Sequence, residues 1–421
     1  MVLGVDKLAN SVNVNVKKHI IVLLFLHISV LGISQQQDIV KRVYKNGIDK
    51  PNILTTHHFG ILSARINQNF KKETTQNTTL SFTYESGNNF HPFVKAYLPK
   101  DQETRKQLKS KKWYHRGFDT TAIPNDSMNI FVDAVIKGFR LDFNYKIAPN
   151  HELGIAIRSY LITKGNYPFS IFTNDKFIEW FHSNIAGGED SFSRKYLELN
   201  QAQIKYTDRK GRALNFNAGD FFVAGLEFNH FYHPNLFNNK TKRIHVNFGS
   251  HLGVNSSKFN PSIDLGISGN IIKKWEIGKN DLFSVASGVA ALRKNIVNFG
   301  SVVQLGSSSL LFSKETMLEY TRYTQKGNYH AIGVNYQLQT PYNKRKESNY
   351  TYLVGDWENV GWWQNGFEKL YQNLSEWTLV YTYARQAWKV SLYLKQDLLV
   401  NNAPDIQTGI KIEIPIHLKG K

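Results

Sequence analysis

The sequence contains no cysteine, which excludes a disulfide framework, a thiolate metal site and a lipoprotein cysteine anchor. It is short of acidic residues: 33 Asp and Glu stand against 52 Lys and Arg, for a formal charge of +19. That excess does not point to nucleic acid, because the basic residues form no single stripe or helix. They gather in connections such as residues 100–112, KDQETRKQLKSKK, and basic loops facing anionic lipid headgroups are their more natural use. Mean hydropathy is low, at −0.39. This excludes a bundle of membrane helices but not a β-barrel, whose alternating strands dilute the apolar signal. No Pro/Gly/Ser-rich linker divides the 421 residues, which favours one barrel over two ordinary domains.

Aromatic residues are abundant, with 27 Phe, 21 Tyr and 8 Trp, and they suit strands and membrane-interface girdles. The clearest strand is near the end of the chain. Ile410, Ile412, Ile414, Ile416 and Leu418 alternate with Lys411, Glu413, Pro415 and His417, the period of two expected for a strand with one apolar face. Pro415 removes one ladder donor and predicts a bulge or local irregularity. The same alternation recurs in a hairpin, where Phe139, Leu141, Phe143, Tyr145 and Ile147 lead to a Pro149-Asn150 turn and return as Leu153, Ile155 and Ile157.

Counting such segments from Asn77 gives about twelve to fourteen strands, within the range for these barrels. The fold class expected is therefore all-β: a single antiparallel transmembrane β-barrel with a short helix in an outward loop. Taking residues 77–86 as the first strand puts the connections 99–127, 166–192, 229–241 and 341–373 at the outer end. Tight turns such as 148–150 and 208–211 then fall at the inner end. Unpaired edges are intolerable in lipid, so the sheet must close.

Three divisions follow. Residues 1–34 read as a signal peptide, with Lys17 and Lys18 ahead of the apolar run Ile20 to Ile33 and an exit at Ser34. Residues 35–76 read as a periplasmic N-terminal segment, with Ile53 to Asn69 outside the barrel wall. Residues 77–421 form the barrel. The address implied is the outer membrane, reached by signal-peptide export.

Between the strands, Asp175 to Ile185 reads as a short amphipathic helix with Asn174 or Thr173 as N-cap. Phe177, Trp180, Phe181 and His182 give it the character of a lid over the outer mouth or of an interface helix. Several segments, Phe59 to Ala64, Leu80 to Tyr84, Gly138 to Ile157 and above all Phe177 to His182, resemble an uncharacterised family of predicted outer-membrane proteins of Gram-negative bacteria. The resemblance implies a barrel and an envelope address. It implies no known activity and supplies no catalytic residue.

The polar faces suggest a lumen network in which Glu315 and Glu319 meet cations such as Arg140 and Arg158, with Asp142 beside them. His182, Ser183 and Asn184, followed by Ser193, resemble the outer-membrane phospholipase A pattern. However, His and Ser are adjacent here, and adjacent helical residues do not face each other. The pairs His57–His58 and His230–His233 lack nearby carboxylates, so loop histidines are expected and no metal. Trp357, Trp362 and Trp363 read as interface anchors.

The function expected is non-enzymatic: a narrow channel, small-solute transporter or structural barrel. An outer-membrane lipid hydrolase, of phospholipase or lipid A deacylase type, is the alternative. No cofactor is expected. The expected partners are outer-membrane lipids and lipopolysaccharide, small solutes and the barrel-assembly machinery.

Overall fold

The computed structural model describes residues 42–96, 128–170, 172–186, 199–208, 210–237, 241–344, 373–397 and 406–416. Expectations for the signal peptide, for Ser193 and for Trp357, Trp362 and Trp363 lie outside them. The strands are β1 Thr78–Ala96, β2 Met128–Ala148, β3 His151–Thr163, β4 Gln203–Thr207, β5 Ala213–Asn217, β6 Phe221–Tyr232 and β7 Ile244–Asn255. They continue as β8 Ser262–Glu276, β9 Asp281–Asn298, β10 Leu310–Tyr323, β11 Tyr329–Gln339, β12 Leu374–Ala384, β13 Lys389–Asp397 and β14 Ile406–Ile416.

Every strand pairing is antiparallel, and β1 pairs with both β2 and β14. The wall runs β1, β2, β3, then β6 through β14, and returns to β1. Twelve strands therefore close the barrel, the lower of the two expected counts. The remaining two, β4 and β5, form a hairpin that joins β2 only over Asn129–Asp133, past the point where β3 stops.

The alternation read from the sequence sets the faces. Ile412 and Ile414 of β14 are exposed, as are Leu141 and Ile147 of β2 and Ile267 and Ile271 of β8. Their neighbours Lys411, Arg140, Asp142, Ser268 and Asn270 are buried in the lumen. The outer face is thus an apolar belt, with Tyr145, Tyr232 and Trp275 exposed near the end of the barrel that carries the short turns. Pro415 introduces no bulge: it stands opposite Thr79 of β1. On its other side the pairing with β13 has already ended at Glu413, so a missing donor is tolerated there.

Two connections differ from the expected asymmetry. The link between β6 and β7 lies at the turn end, where His233 N–H donates to Asn150 O at 2.9 Å. The 208–212 turn joins β4 to β5, and Thr207 stands opposite Asn129 near the start of β2. It therefore lies at the far, loop end. Both follow from counting β4 and β5 as wall strands, when they belong to a single excursion between β3 and β6.

The larger correction concerns residues 42–76. They do not hang below the barrel as a periplasmic segment. They enter the lumen from the turn end, where Val43 N–H donates to Gly327 O at 2.9 Å. They turn at a short 3-10 helix, Gly60–Leu62, and return to the turn end, where Thr74 Oγ1 donates to Pro149 O at 3.0 Å. The physical reason is that a twelve-strand lumen lined by polar side chains must be filled by water or by protein. This segment supplies both the countercharges and the main-chain groups that the lining residues need.

Candidate functional site

The lumen is mainly charged toward the turns and mainly apolar toward the loops, although a smaller apolar cluster around Ile53 and Met317 lies in the charged half and Glu376, Lys395 and Arg65 bring charge toward the loops. In the charged half, the wall holds the segment by ion pairs. Lys45 Nζ lies 2.8 Å from Glu319, Lys71 Nζ lies 2.5 Å from Glu152, and Lys50 pairs with Glu315. Asp49 makes the reverse contact, 2.9 Å from Lys389 Nζ. The expected network is therefore only partly as drawn. Glu315 and Glu319 take lysines of the segment and do not meet Arg140 or Arg158. Sequence alternation placed them in the lumen, but it could not show what else lay there.

Arg140, Asp142 and Arg158 do come together. Arg140 donates to Asp142 Oδ1 at 2.8 Å and to Glu227 Oε2 at 2.6 Å. Arg158 Nε lies 2.8 Å from Glu227 Oε1. Glu227 is the residue that sequence reading missed. A bulge at Gly225, which has φ of 150°, shifts the register of β6 against β3 and turns Glu227 inward.

The wall also binds the main chain of the segment. Glu85 accepts from Leu54 N–H at 2.7 Å, Asp264 from Ala64 N–H at 3.2 Å and Glu227 from Arg65 N–H at 3.1 Å. In return, Arg158 donates to Ser63 O at 2.7 Å, Asn260 to Leu62 O at 2.7 Å and Asn247 to Asn69 O at 2.8 Å. Buried peptide groups need such partners, and here side chains of many different strands provide them.

Lumen-facing glycines provide the room. A Cβ at Gly253 would stand 2.3 Å from Ala64 Cβ, one at Gly266 would stand 2.4 Å from Ile66, and one at Gly288 would stand 2.8 Å from Gln68. The signal available in the sequence is the run of small residues Ser284, Ala286, Gly288 and Ala290 on one face of β9, all buried: a wall with nothing to accommodate has no need of them.

Toward the loops, Phe59, Ile61, Leu62 and Ile66 of the segment join one apolar cluster with Tyr160, Ile162, Leu292, Leu311 and Tyr342. The β4–β5 hairpin adds Ile204, Tyr206, Leu214 and Phe216. Asp208 in its turn accepts Gln304 N–H at 2.8 Å and ties the hairpin to the β9–β10 connection. Burial raises the Asp208 carboxyl, but the N–H donors of Gln304, Arg212 and Lys210 outweigh that and hold it below the usual carboxylate range.

His57 and His58 sit at this apex, not in a solvent loop. Their rings stack at 4.2 Å, and His57 Nδ1 accepts Phe59 N–H at 3.2 Å. His230 and His233 are not brought together. His230 Nε2 lies 3.0 Å from His151 Nδ1 on the outer face. His233 is buried, which pushes its imidazole down to about 4. Among the described residues no three His, Cys, Asp or Glu side chains are grouped for a metal ion.

Helix α1, Asp175–Phe181, starts where expected: Asn174 Oδ1 accepts Phe177 N–H at 2.9 Å. The loop that carries it lies against the outside of the wall. Asn88 of β1 donates to Asp175 Oδ1 at 2.8 Å, and Ser86 Oγ lies 2.6 Å from Thr173 Oγ1. Buried Lys137 of β2 donates to Ser86 Oγ at 2.7 Å and to Phe169 O at 2.9 Å. Ser86, Asn88 and Lys137 alternate with lumen-facing Glu85, Gly87 and Gly138, so α1 lies on the belt side and is not a lid. Trp180, Phe181 and Ile185 are exposed there, while Phe177 is half-buried. The main chain of His182 opens a π-helical turn, His182–Ala186; its side chain lies outside the described residues.

No protein-family model and no curated protein matches the sequence. Among solved structures, the chain is similar to the COG4313 outer membrane channel from Pseudomonas putida F1, at TM-score 0.39 and 9% identity over 84% of this chain and 100% of that one. It is similar to the NanC porin at TM-score 0.34 and 7% identity, covering 81% and 100%. It is also similar to LpxR from Salmonella typhimurium at TM-score 0.35 and 8% identity, covering 80% and 100%. These are slight likenesses to outer-membrane barrels, the class that the sequence resemblance names, and the fold stands on the strand pairing itself.

Proposed function

We propose that this protein is a channel or small-solute transporter of the bacterial outer membrane that rests closed, with residues 42–76 as its gate. The observation that carries the reading is the seat of that segment, built from ion pairs, main-chain hydrogen bonds and wall glycines. The main-chain hydrogen bonds exchange for water at a small net cost each, while the ion pairs set the cost of opening, so a segment entering from the turn end rests closed and withdraws only transiently. The apolar belt supports placement in a membrane, since closure satisfies every wall edge. Export by residues 1–34, assembly by the barrel-assembly machinery, and contact of the basic outer loops with lipopolysaccharide and lipid headgroups belong to the same proposal.

A reversible lock tests it. A Cβ at Gly87 would stand 2.8 Å from Thr56 Cβ, so a Thr56→Cys/Gly87→Cys pair needs a relaxation of about 1 Å to reach disulfide geometry. In a planar bilayer the reduced protein is expected to show brief openings that oxidation abolishes and reductant restores. Identical traces in both states contradict the gate.

A further inference from the structure

The segment's chemistry says what the emptied lumen would take. We infer that the lumen holds a binding site for a cationic amphiphile, a small solute with an apolar body and an amine or guanidinium head, and that residues 42–76 occupy it as a stand-in. The inference rests on the gate reading above.

The charge balance is the first observation. Glu152, Glu315 and Glu319 of the wall are paired with Lys71, Lys50 and Lys45 of the segment. Several other wall carboxylates have cations on the wall itself, as Glu376 has Lys395 at 2.7 Å and Glu413 has Lys389 and Lys411, each at 2.9 Å, while Glu85 and Asp264 are held by hydrogen bonds. Withdrawal of the segment therefore strips the cations from Glu152, Glu315 and Glu319, whereas Glu376 loses Arg65 but keeps Lys395 and Lys389 loses Asp49 but keeps Glu413. Buried carboxylates without a countercharge are costly, and an incoming cation relieves that cost.

The second observation lies deeper in the same lumen. Past the charged half, the segment's tip fills an apolar chamber with Phe59, Ile61 and Leu62 against Tyr160, Ile162 and Tyr342. A small crevice remains beside Ile66, lined in part by Leu292 and Leu311. Leaving this chamber to water forfeits about 25 cal/mol for each Å² of apolar surface. A ligand with only charge would leave the chamber wet, and one with only hydrocarbon would leave the carboxylates unpaired. The two halves in series select a molecule with both.

The test uses full-length protein in lipid nanodiscs and trypsin, since Lys45 and Arg65 are tryptic sites buried in the barrel. Benzyltrimethylammonium is the probe, benzenesulfonate supplies the same ring with opposite charge, and tetramethylammonium supplies the charge without the ring. Cleavage after Lys45 and Arg65, read by mass spectrometry, is expected to rise about tenfold with benzyltrimethylammonium at ten times its dissociation constant for the open lumen. The two controls are expected to leave it unchanged. In Glu315→Gln/Glu319→Gln, basal cleavage rises and the response to the probe disappears.

Equal acceleration by benzenesulfonate or by tetramethylammonium overturns the ligand class. So does the absence of any response in a protein whose gate is shown to move by the cysteine lock. Absence of both the response and the lock's effect overturns the gate reading along with it.

Discussion

Glu227 is the residue on which most of the lumen network converges. It accepts from both Arg140 and Arg158 and from the main chain of Arg65. Removing one member of a buried ion cluster leaves the others charged and unpaired, so Glu227→Ala is expected to cost about 3–5 kcal/mol. The check is the temperature at which the folded, fast-migrating band is lost in heat-modifiable gel electrophoresis. An unchanged transition contradicts the role given to this carboxylate. The sequence showed that Arg140, Asp142 and Arg158 face the lumen, because their positions alternate with apolar ones. Glu227 was not legible in that way, since the bulge at Gly225 changes the parity of β6 at that point. Period-two reasoning loses its place wherever one extra residue enters a strand.

At the scale of elements, the strands and the one helix were read from local pattern, while the placement of connecting segments was not. The hairpin through Pro149-Asn150, the strand ending at Ile416 and the N-cap at Asn174 all follow from neighbours in sequence. Whether α1 covers the mouth or lies on the wall depends on Ser86, Asn88 and Lys137, which stand far from it in the chain. The structure puts α1 on the wall, with Trp180, Phe181 and Ile185 exposed on the belt side. An amphipathic helix so placed is expected in the lipid interface. The chain has no native cysteine, so Ile185→Cys carries a single environment-sensitive dye. In nanodiscs its emission is expected at apolar wavelengths, and emission matching that in water contradicts the interface position.

For the whole molecule, closure of the sheet was legible because the apolar positions recur at period two along most of the chain and an open edge is not tolerated in lipid. The filling of the lumen was not legible. Residues 53–69 carry no strand or helix pattern strong enough to fix them. Their place is set by contacts with Glu85, Glu227, Asn247 and Asp264, spread over residues that no local rule connects. The small residues on the lumen face of β9 were the trace they left. Whether this segment closes the barrel is tested most directly by the ion conductance of Gly253→Leu against the natural sequence in a planar bilayer. A side chain at Gly253 meets Ala64 head-on. The variant, confirmed as folded by its heat-modifiable gel mobility, is predicted to conduct steadily where the natural protein opens only briefly. Folded Gly253→Leu with traces indistinguishable from the natural protein, and the same result for Gly288→Leu, would contradict it.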